Sequence, residues 1–277
     1  MSIDSQGFAY VRDLVRANSG VVLEAGKEYL VEARLRPLAE QAGLASVQLF
    51  IESLRSGSLG TMRGSVIEAM TTNETSFFRD LHPFETFRST VLPDLAQRRS
   101  AARCLNIWSA ACSTGQEPYS IAIIIREHLP NLSQWLCRIR ASDLASKVLT
   151  TARAGRYTQL EVNRGMPARL LVKYFVREGT DWKVKPEIRA MVEFFEVNLL
   201  RPWPSMPKMD VILLRNVLIY FDAVTKRAIL EAISRQIAPG GYLLLGSSET
   251  IFGLYDGFDR VANDRSGWHR LRQQQGH

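Results

Sequence analysis

The sequence predicts an α/β protein: a doubly wound, mostly parallel sheet covered by helices and preceded by an all-α segment. Three observations predict it. Apolar residues at helical spacing fill the first third of the chain, and from about residue 103 short apolar runs alternate with amphipathic segments. The charge also suggests two parts: the first 82 of the 277 residues carry 8 Lys or Arg against 10 Asp or Glu, whereas the remainder carries 27 against 18, so the excess behind the +7 net charge lies entirely in the later part.

The elements follow in order. Within residues 7–17, Phe8, Val11, Leu14 and Val15 recur at intervals of three and four. Tyr29, Leu30, Ala33, Leu35 and Leu38 continue that spacing, and Val47, Phe50, Ile51 and Leu54 repeat it with Ser46 as the cap. Gly20, Gly43 and the SGSLG at 56–60 punctuate these runs, which gives a helical bundle over residues 1–72. Residues 104–108 read as a first strand followed by a helix from Tyr119 to His128, and 137–141 as a second strand ending in Ser142 and Asp143, with a helix through Val148, Leu149 and Ala152. Residues 192–199 form a third candidate, and DVILLR at 210–215 a fourth, apolar enough for a strand buried on both faces. Thr225 is the expected cap of a helix through Ile229, Leu230, Ile233 and Ile237, stopped by Pro239-Gly240-Gly241 before a fifth strand at 242–245. Residues 258–262 and 268–271 close as an antiparallel pair. Between Tyr174 and Arg189 the alternation around Gly179-Thr180-Asp181 predicts a small antiparallel excursion instead of a crossover helix.

Composition narrows the class. With 46% apolar and 23% charged residues the chain can build a large core, which excludes disorder and a fibrous fold. Cys104, Cys112 and Cys137 and the histidines at 82, 128, 269 and 277 are scattered, which argues against a disulfide framework or a structural metal. No run approaches 18 apolar residues, and the first twenty residues carry charges where a signal peptide needs an apolar stretch. A soluble cytoplasmic protein without membrane insertion is expected. The pI of about 9.5 admits nucleic acid or an acidic protein as partner.

In doubly wound sheets ligands lie beyond the carboxyl ends of the strands, where the strand order reverses. That rule selects residues 110–116, Ser142-Asp143, 197–199 and 215–221. The turn SAACSTGQEPYS holds a single glycine, Gly115, and no GxGxxG, so a dinucleotide pyrophosphate lacks its backbone clearance. Small residues with the carboxylate of Glu117 suit a cofactor bearing an ammonium or sulfonium, although Glu117 also favours a helix N-terminus through the dipole. Asp143 stands 28 residues after Gly115, where nucleotide-binding folds place an acid on ribose hydroxyls; it is equally a good helix cap. RNVLIYF sets Arg215 and Asn216 at a strand's carboxyl edge and Tyr220 beyond them, where a core aromatic is the alternative. TTNETSFFRD at 71–80 joins the two parts; Asn73 and Arg79 there read as a cap and a surface charge as readily as site residues.

Taken together, TTNETSFFRD, IWSAACSTGQEPYSIA, ASDL, VNLL and RNVLIYF resemble, in order and spacing, the motif series of the CheR family, the chemoreceptor glutamate O-methyltransferases of bacterial chemotaxis. The resemblance runs from about residue 7 to 272. It implies an all-α N-terminal domain (1–72), a linker and helix contributing to the active site (73–102), and a Rossmann-like methyltransferase domain (103–277) with a β-subdomain at about 174–192. It also implies S-adenosyl-L-methionine as cofactor, S-adenosyl-L-homocysteine as product, and no metal. Carried over residue by residue, Asn73, Thr75 and Arg79 contact the cofactor or line the transfer site, and Glu117 holds the amino acid moiety. Asp143 binds the ribose, Asn198 and Leu199 the adenine region, and Arg215 and Asn216 the remaining edge, while Arg79 and Tyr220 stand nearest the methyl group as catalytic residues. The implied partner is the cytoplasmic helical signalling domain of chemoreceptors, met by a monomer that needs no nucleic acid. One departure is the turn in VREGTDWKV, shorter than in members that dock on a receptor's C-terminal pentapeptide, so independence of such a peptide is expected.

Two other classes remain to be weighed. A nucleic-acid amino methyltransferase needs a [DN]PPY-type motif where this chain reads RNVLIY, and methylation at carbon needs a nucleophilic cysteine where Cys112 reads as a packing residue. A catalytically silent protein that senses the cofactor is the third class. Arg34 and Arg36 in EARLRPL could meet an acidic receptor bundle or simply form a solvated helix face.

Overall fold

A computed structural model of the chain describes residues 3–129, 131–262 and 266–272; His277 lies outside the described residues. The chain separates into two units, one formed by 1–72, 198–202 and 220–225, the other by 73–197, 203–219 and 226–277.

In the first unit, α1 (Ser5–Ser19) begins where the Asp4 carboxylate accepts the Gly7 N–H at 2.6 Å and ends on Gly20 in the left-handed region. Helix α2 (Glu28–Gln41) buries Val31, Leu35 and Ala39, but Tyr29 is 66% exposed and does not join the core stripe as its spacing suggested. Helix α3 (Val47–Ser56) is capped by the Ser46 hydroxyl on the Leu49 N–H at 3.2 Å. Helix α4 (Arg63–Met70) escaped the periodicity because only Val66 and Met70 are buried, too few to display a period. Val11, Val15, Val31, Leu35, Phe50, Ile51, Leu54 and Val66 are fully buried together, each side chain contributing roughly 1.5–3 kcal/mol. Arg34 donates Nη1 to the Met70 and Thr71 carbonyls and Nη2 to the Thr72 hydroxyl. It therefore closes the carboxyl end of α4, and Arg36 pairs with Glu32 at 3.0 Å.

Two later segments belong to this unit. The Asn198 side-chain N–H donates to the Asn18 carbonyl at 2.6 Å, Val22 donates to the Tyr220 carbonyl at 2.9 Å, and Arg16 pairs with Asp222 at 2.8 Å. Asp222 also accepts the Thr225 N–H at 2.9 Å, so Asp222 and not Thr225 supplies the cap that sequence reasoning placed one turn on. Hydrogen bonding from Thr225 and then Arg16 holds its carboxyl down at about 2.

In the second unit, α5 (His82–Thr86) and α6 (Leu92–Arg98) flank a π-helical turn at Phe87–Val91. Strand β1 (Cys104–Ala110), α7 (Gln116–His128), β2 (Leu136–Asp143) and α8 (Ser146–Ala154) form the first strand–helix repeats. There follow β3 (Arg156–Tyr157), α9 (Gln159–Asn163), α10 (Ala168–Tyr174), β4 (Phe175–Glu178), β5 (Asp181–Val184), α11 (Pro186–Arg189) and β6 (Val192–Glu196). The chain ends with β7 (Met209–Leu214), α12 (Ala223–Gln236), β8 (Ile237–Leu245), β9 (Phe258–Arg260) and β10 (Trp268–Leu271).

The main sheet has the order β6-β2-β1-β7-β8-β10-β9, with the first five strands parallel and the closing pair antiparallel. Order reverses between β1 and β7, which makes their carboxyl edge the switch point. A separate antiparallel sheet runs β3-β5-β4. It differs from the expected subdomain at 174–192 in two ways: its third strand comes from Arg156–Tyr157, a two-residue strand too short to alternate visibly, and residues 186–189 turn as a helix headed by Pro186. The fifth strand also starts earlier than expected, at Ile237. Pro239-Gly240-Gly241 does not stop a helix there but forms an irregularity in the ladder, with Met209 opposite Ile237 and Val211 opposite Tyr242, a bulge in which proline owes no ladder bond. The third strand stops at Glu196, short of Leu199. Among the described residues no helix is long and apolar enough to cross a membrane.

Candidate active site

The turn after β1 is conformationally strained. Ala111, Ser113 and Gly115 all have positive φ, at 58°, 52° and 94°, and non-glycine residues hold such angles only where their surroundings over-determine them. Here the Cys112 N–H donates to the Ser142 carbonyl at 2.9 Å, the Ser113 N–H to the Asp143 carboxylate at 2.8 Å, and Tyr157 Oη to the Thr114 carbonyl at 2.7 Å. Asp143 takes a second bond from the Ala145 N–H at 3.0 Å. Its carboxylate thus lashes the β1 turn to the end of β2, and α8 begins without a side-chain cap. Burial pushes the Cys112 thiol well up, with Asp143 and then Glu117 adding to the effect, so it is a packed thiol and not a thiolate nucleophile.

At the switch point Glu117, in the first turn of α7, accepts the Ser109 hydroxyl at 2.8 Å and Arg215 Nη1 at 3.0 Å. Arg215 is 6% exposed. Its Nη2 donates to the Asp80 carboxylate at 2.8 Å and to the Arg79 carbonyl at 3.0 Å, its guanidinium carbon lies 5.5 Å from the centre of the Phe84 ring, and Nε has no hydrogen-bond partner among the described residues. Asp80, in the TTNETSFFRD motif, is the second anion on this guanidinium and is itself solvent-exposed, whereas Arg215 and Glu117 are buried.

The 73–80 segment is fastened at several points. The Ser113 hydroxyl donates to the Asn73 carbonyl at 2.7 Å, Arg164 to the Glu74 carboxylate at 2.7 Å, Arg79 to the Glu74 carbonyl at 2.9 Å, and the Phe78 N–H to the Ser120 hydroxyl at 3.0 Å. Thr75 lies half-buried between these anchors. Phe78, Asp80 and Leu81 have φ of 48°, 71° and 53°, a second concentration of strain. A cavity of about 680 Å³ is lined by Ser76–Leu81 and Asn163–Pro167, Arg79 among them.

Of the expected site residues, the structure brings Glu117, Arg215 and the backbone carbonyl of Arg79 into one hydrogen-bonded cluster and joins the Asn73 carbonyl to Asp143 through Ser113. Asn216 follows Arg215 with φ 57°. Asn198, Leu199 and Tyr220 belong to the first unit; the Asn198 side chain is engaged by the Asn18 carbonyl and the Leu200 N–H, so its amide is structural there. Sequence reasoning missed Glu249, whose carboxylate accepts the backbone N–H groups of Asn216, Val217, Leu218 and Gly246. The signal was present: an acid three residues beyond a glycine at the carboxyl edge of the fifth strand obeys the same edge rule that selected Asp143.

Comparison with known proteins agrees with this arrangement. The model of a family described as "CheR methyltransferase, all-alpha domain" matches residues 6–71, and that described as "CheR methyltransferase, SAM binding domain" matches residues 73–266. Chemotaxis protein methyltransferase 1 of Pseudomonas aeruginosa is 43% identical over 265 residues, a span of 94% of this chain and 96% of that protein. Chemotaxis protein methyltransferase Cher2 of Pseudomonas putida is 42% identical over the same shares, and a chemotaxis protein methyltransferase of Vibrio parahaemolyticus 38% over 94% and 95%.

Proposed function

The chain belongs to the CheR methyltransferase family, and on that premise we propose that it transfers a methyl group from S-adenosyl-L-methionine to glutamate side chains of bacterial chemoreceptors. The product is a glutamate methyl ester serving chemotactic adaptation. The observation that carries this reading is the acid pair at the switch point: Glu117 on α7, bonded to Ser109 and Arg215, and Asp143 at the end of β2, bonded to the strained turn after β1.

The residues present suit the cofactor. A carboxylate offers about four lone-pair sites, and Glu117 spends two, on Ser109 and Arg215, which leaves capacity for an ammonium. Glu117 would hold the amino acid moiety and Asp143 the ribose hydroxyls; by resemblance, Asn198 and Leu199 take the adenine region and Asn73, Thr75, Arg215 and Asn216 the surrounding wall. When bound, S-adenosylmethionine supplies an electrophilic sulfonium methyl, and S-adenosylhomocysteine is its spent form.

The chain's own residues position and exclude water. A receptor glutamate with a pKa near 4.3 is ionised at pH 7, so no general base is required of the protein. Because an anionic acceptor and a sulfonium would lose their charges on transfer, a dry, shaped pocket would favour it, with positioning by the chain contributing up to roughly 7–11 kcal/mol. Arg79 orients the incoming carboxylate, and the Tyr220 hydroxyl aims it. Arg79→Ala and Tyr220→Phe should therefore lower turnover more than cofactor affinity, whereas Asp143→Ala should weaken cofactor binding by calorimetry; an unaltered dissociation constant in Asp143→Ala refutes its assignment.

The same proposal divides the chain into a helical part at 1–72, a connector at 73–102 and a catalytic part at 103–277, acting as a cytoplasmic monomer without metal or nucleic acid. It includes independence of a receptor C-terminal pentapeptide. Supporting that point, only Gly179 and Thr180 separate β4 from β5. Saturable calorimetric binding of such a pentapeptide would overturn it.

A further inference from the structure

We propose that Glu249 is a positioning residue for the transfer reaction, setting the backbone path that carries Arg215 and Asn216 and leads directly into Tyr220. The inference rests on the reading above, in which residues 215–220 serve the transfer site.

Glu249 Oε2 accepts the N–H groups of Asn216 at 2.8 Å and Gly246 at 2.7 Å, and Oε1 accepts those of Val217 at 2.9 Å and Leu218 at 2.7 Å. Three consecutive backbone donors converge on one anion only where the chain curls around it, in the manner of an anion nest. The curl is achieved at Asn216, whose φ of 57° lies in the left-handed region, which a non-glycine residue keeps where its surroundings hold it. Charge-assisted bonds to backbone N–H are the strong kind, and here they supply that hold.

Gly246 is matched to the clamp. A Cβ at Gly246 would lie 2.8 Å from Glu249 Oε2 and 2.9 Å from both the backbone nitrogen and the side-chain nitrogen of Asn216, so the carboxylate and the Asn216 turn reach their places only because residue 246 has no side chain. The Glu249 N–H donates to the Gly246 carbonyl at 3.0 Å, which folds residues 246–249 into the turn that aims the carboxylate. The position tolerates no simple substitute. A glutamine has one acceptor oxygen and would turn an NH₂ toward two backbone donors, and an aspartate is one methylene short. At one end of the clamped stretch Arg215 holds Glu117, Asp80 and the Arg79 carbonyl; at the other, Ile219 passes the chain to Tyr220. Displacement of the stretch would therefore be felt at the transfer site while Glu249 itself touches no reacting group.

The test uses the full chain with Glu249→Gln and, separately, Gly246→Ala, which displaces the same turn while keeping the carboxylate. Cofactor-competent sites are counted by titration with S-adenosylmethionine, methyl transfer to a receptor cytoplasmic fragment is measured per competent site, and amide hydrogen exchange is followed at residues 216–218. The proposal expects faster exchange at those amides and turnover lower by about tenfold or more, since a misplacement of about 1 Å can cost about a hundredfold, with KM for the receptor fragment changed by less than about threefold. Faster exchange with unchanged turnover per competent site would make Glu249 merely structural, and unchanged exchange would deny the clamp; either overturns the proposal. Should Glu249→Gln fail to fold, Gly246→Ala decides by the same criteria. A wild-type protein that esterifies no receptor glutamate overturns the parent reading, a result distinct from both failures because it appears without any substitution.

Discussion

Arg215 shows how differently one residue reads in one dimension and in three. Its place at the carboxyl edge of β7 was legible from DVILLR, because a buried parallel strand must end where polarity returns. Its partners were not legible: Glu117 lies 98 residues away and Asp80 lies 135. The guanidinium joins the strained 79–80 turn to the first turn of α7, and removing one partner of a buried pair leaves the other's charge uncompensated, at a cost of about 3–5 kcal/mol. Arg215→Met should accordingly destabilise the protein by about 3 kcal/mol in urea denaturation, and a double variant with Glu117→Gln should recover part of that loss. A loss below about 1 kcal/mol, the range of exposed pairs, would contradict a buried cluster. Cys112, read as a packing residue from its place in the turn after β1, is 2% exposed and packs in an apolar cluster with Ala141 and Leu149.

At the scale of elements, legibility follows length and period. Helix α3 was legible with its cap because Ser46 precedes a clean apolar stripe, whereas α4 and the two-residue β3 bury too little to leave a pattern. Strand β8 was misjudged at its start because Pro-Gly-Gly stops helices far more often than it interrupts a ladder at a bulge. The 73–80 segment presents the harder case: its path is dictated by a close approach that no local rule reveals. A Cβ on Gly165, at φ 99°, would lie 2.0 Å from the Phe77 carbonyl oxygen. Gly165→Ala must therefore push the segment away as well as adopt a left-handed conformation, and it should cost about 1–3 kcal/mol while weakening cofactor binding through Asn73. Calorimetry with S-adenosylmethionine and a urea midpoint together check this; a variant with wild-type values for both would show that the approach is immaterial.

At the scale of the whole molecule, the +7 charge admits nucleic acid or an acidic protein as partner, and the proposed function favours the protein. The positive excess lies in the portion of the sequence that forms the switch-point sheet, and the acids Glu117, Asp143 and Glu249 there are engaged by internal hydrogen bonds. What remains exposed can steer an acidic partner by long-range attraction that falls with salt. A protein-carboxylate acceptor accounts for that balance and for the lack of any base in the mechanism. The most direct measurement is radiolabelled methyl transfer from S-adenosylmethionine to purified receptor cytoplasmic fragments, followed by mild base and by replacement of the acceptor glutamates with glutamine. The account predicts incorporation that is base-labile, absent from the glutamine-substituted fragments, and strongly reduced by Arg79→Ala and Tyr220→Phe. Base-stable label, label on nucleic acid, or no incorporation despite cofactor binding would contradict it.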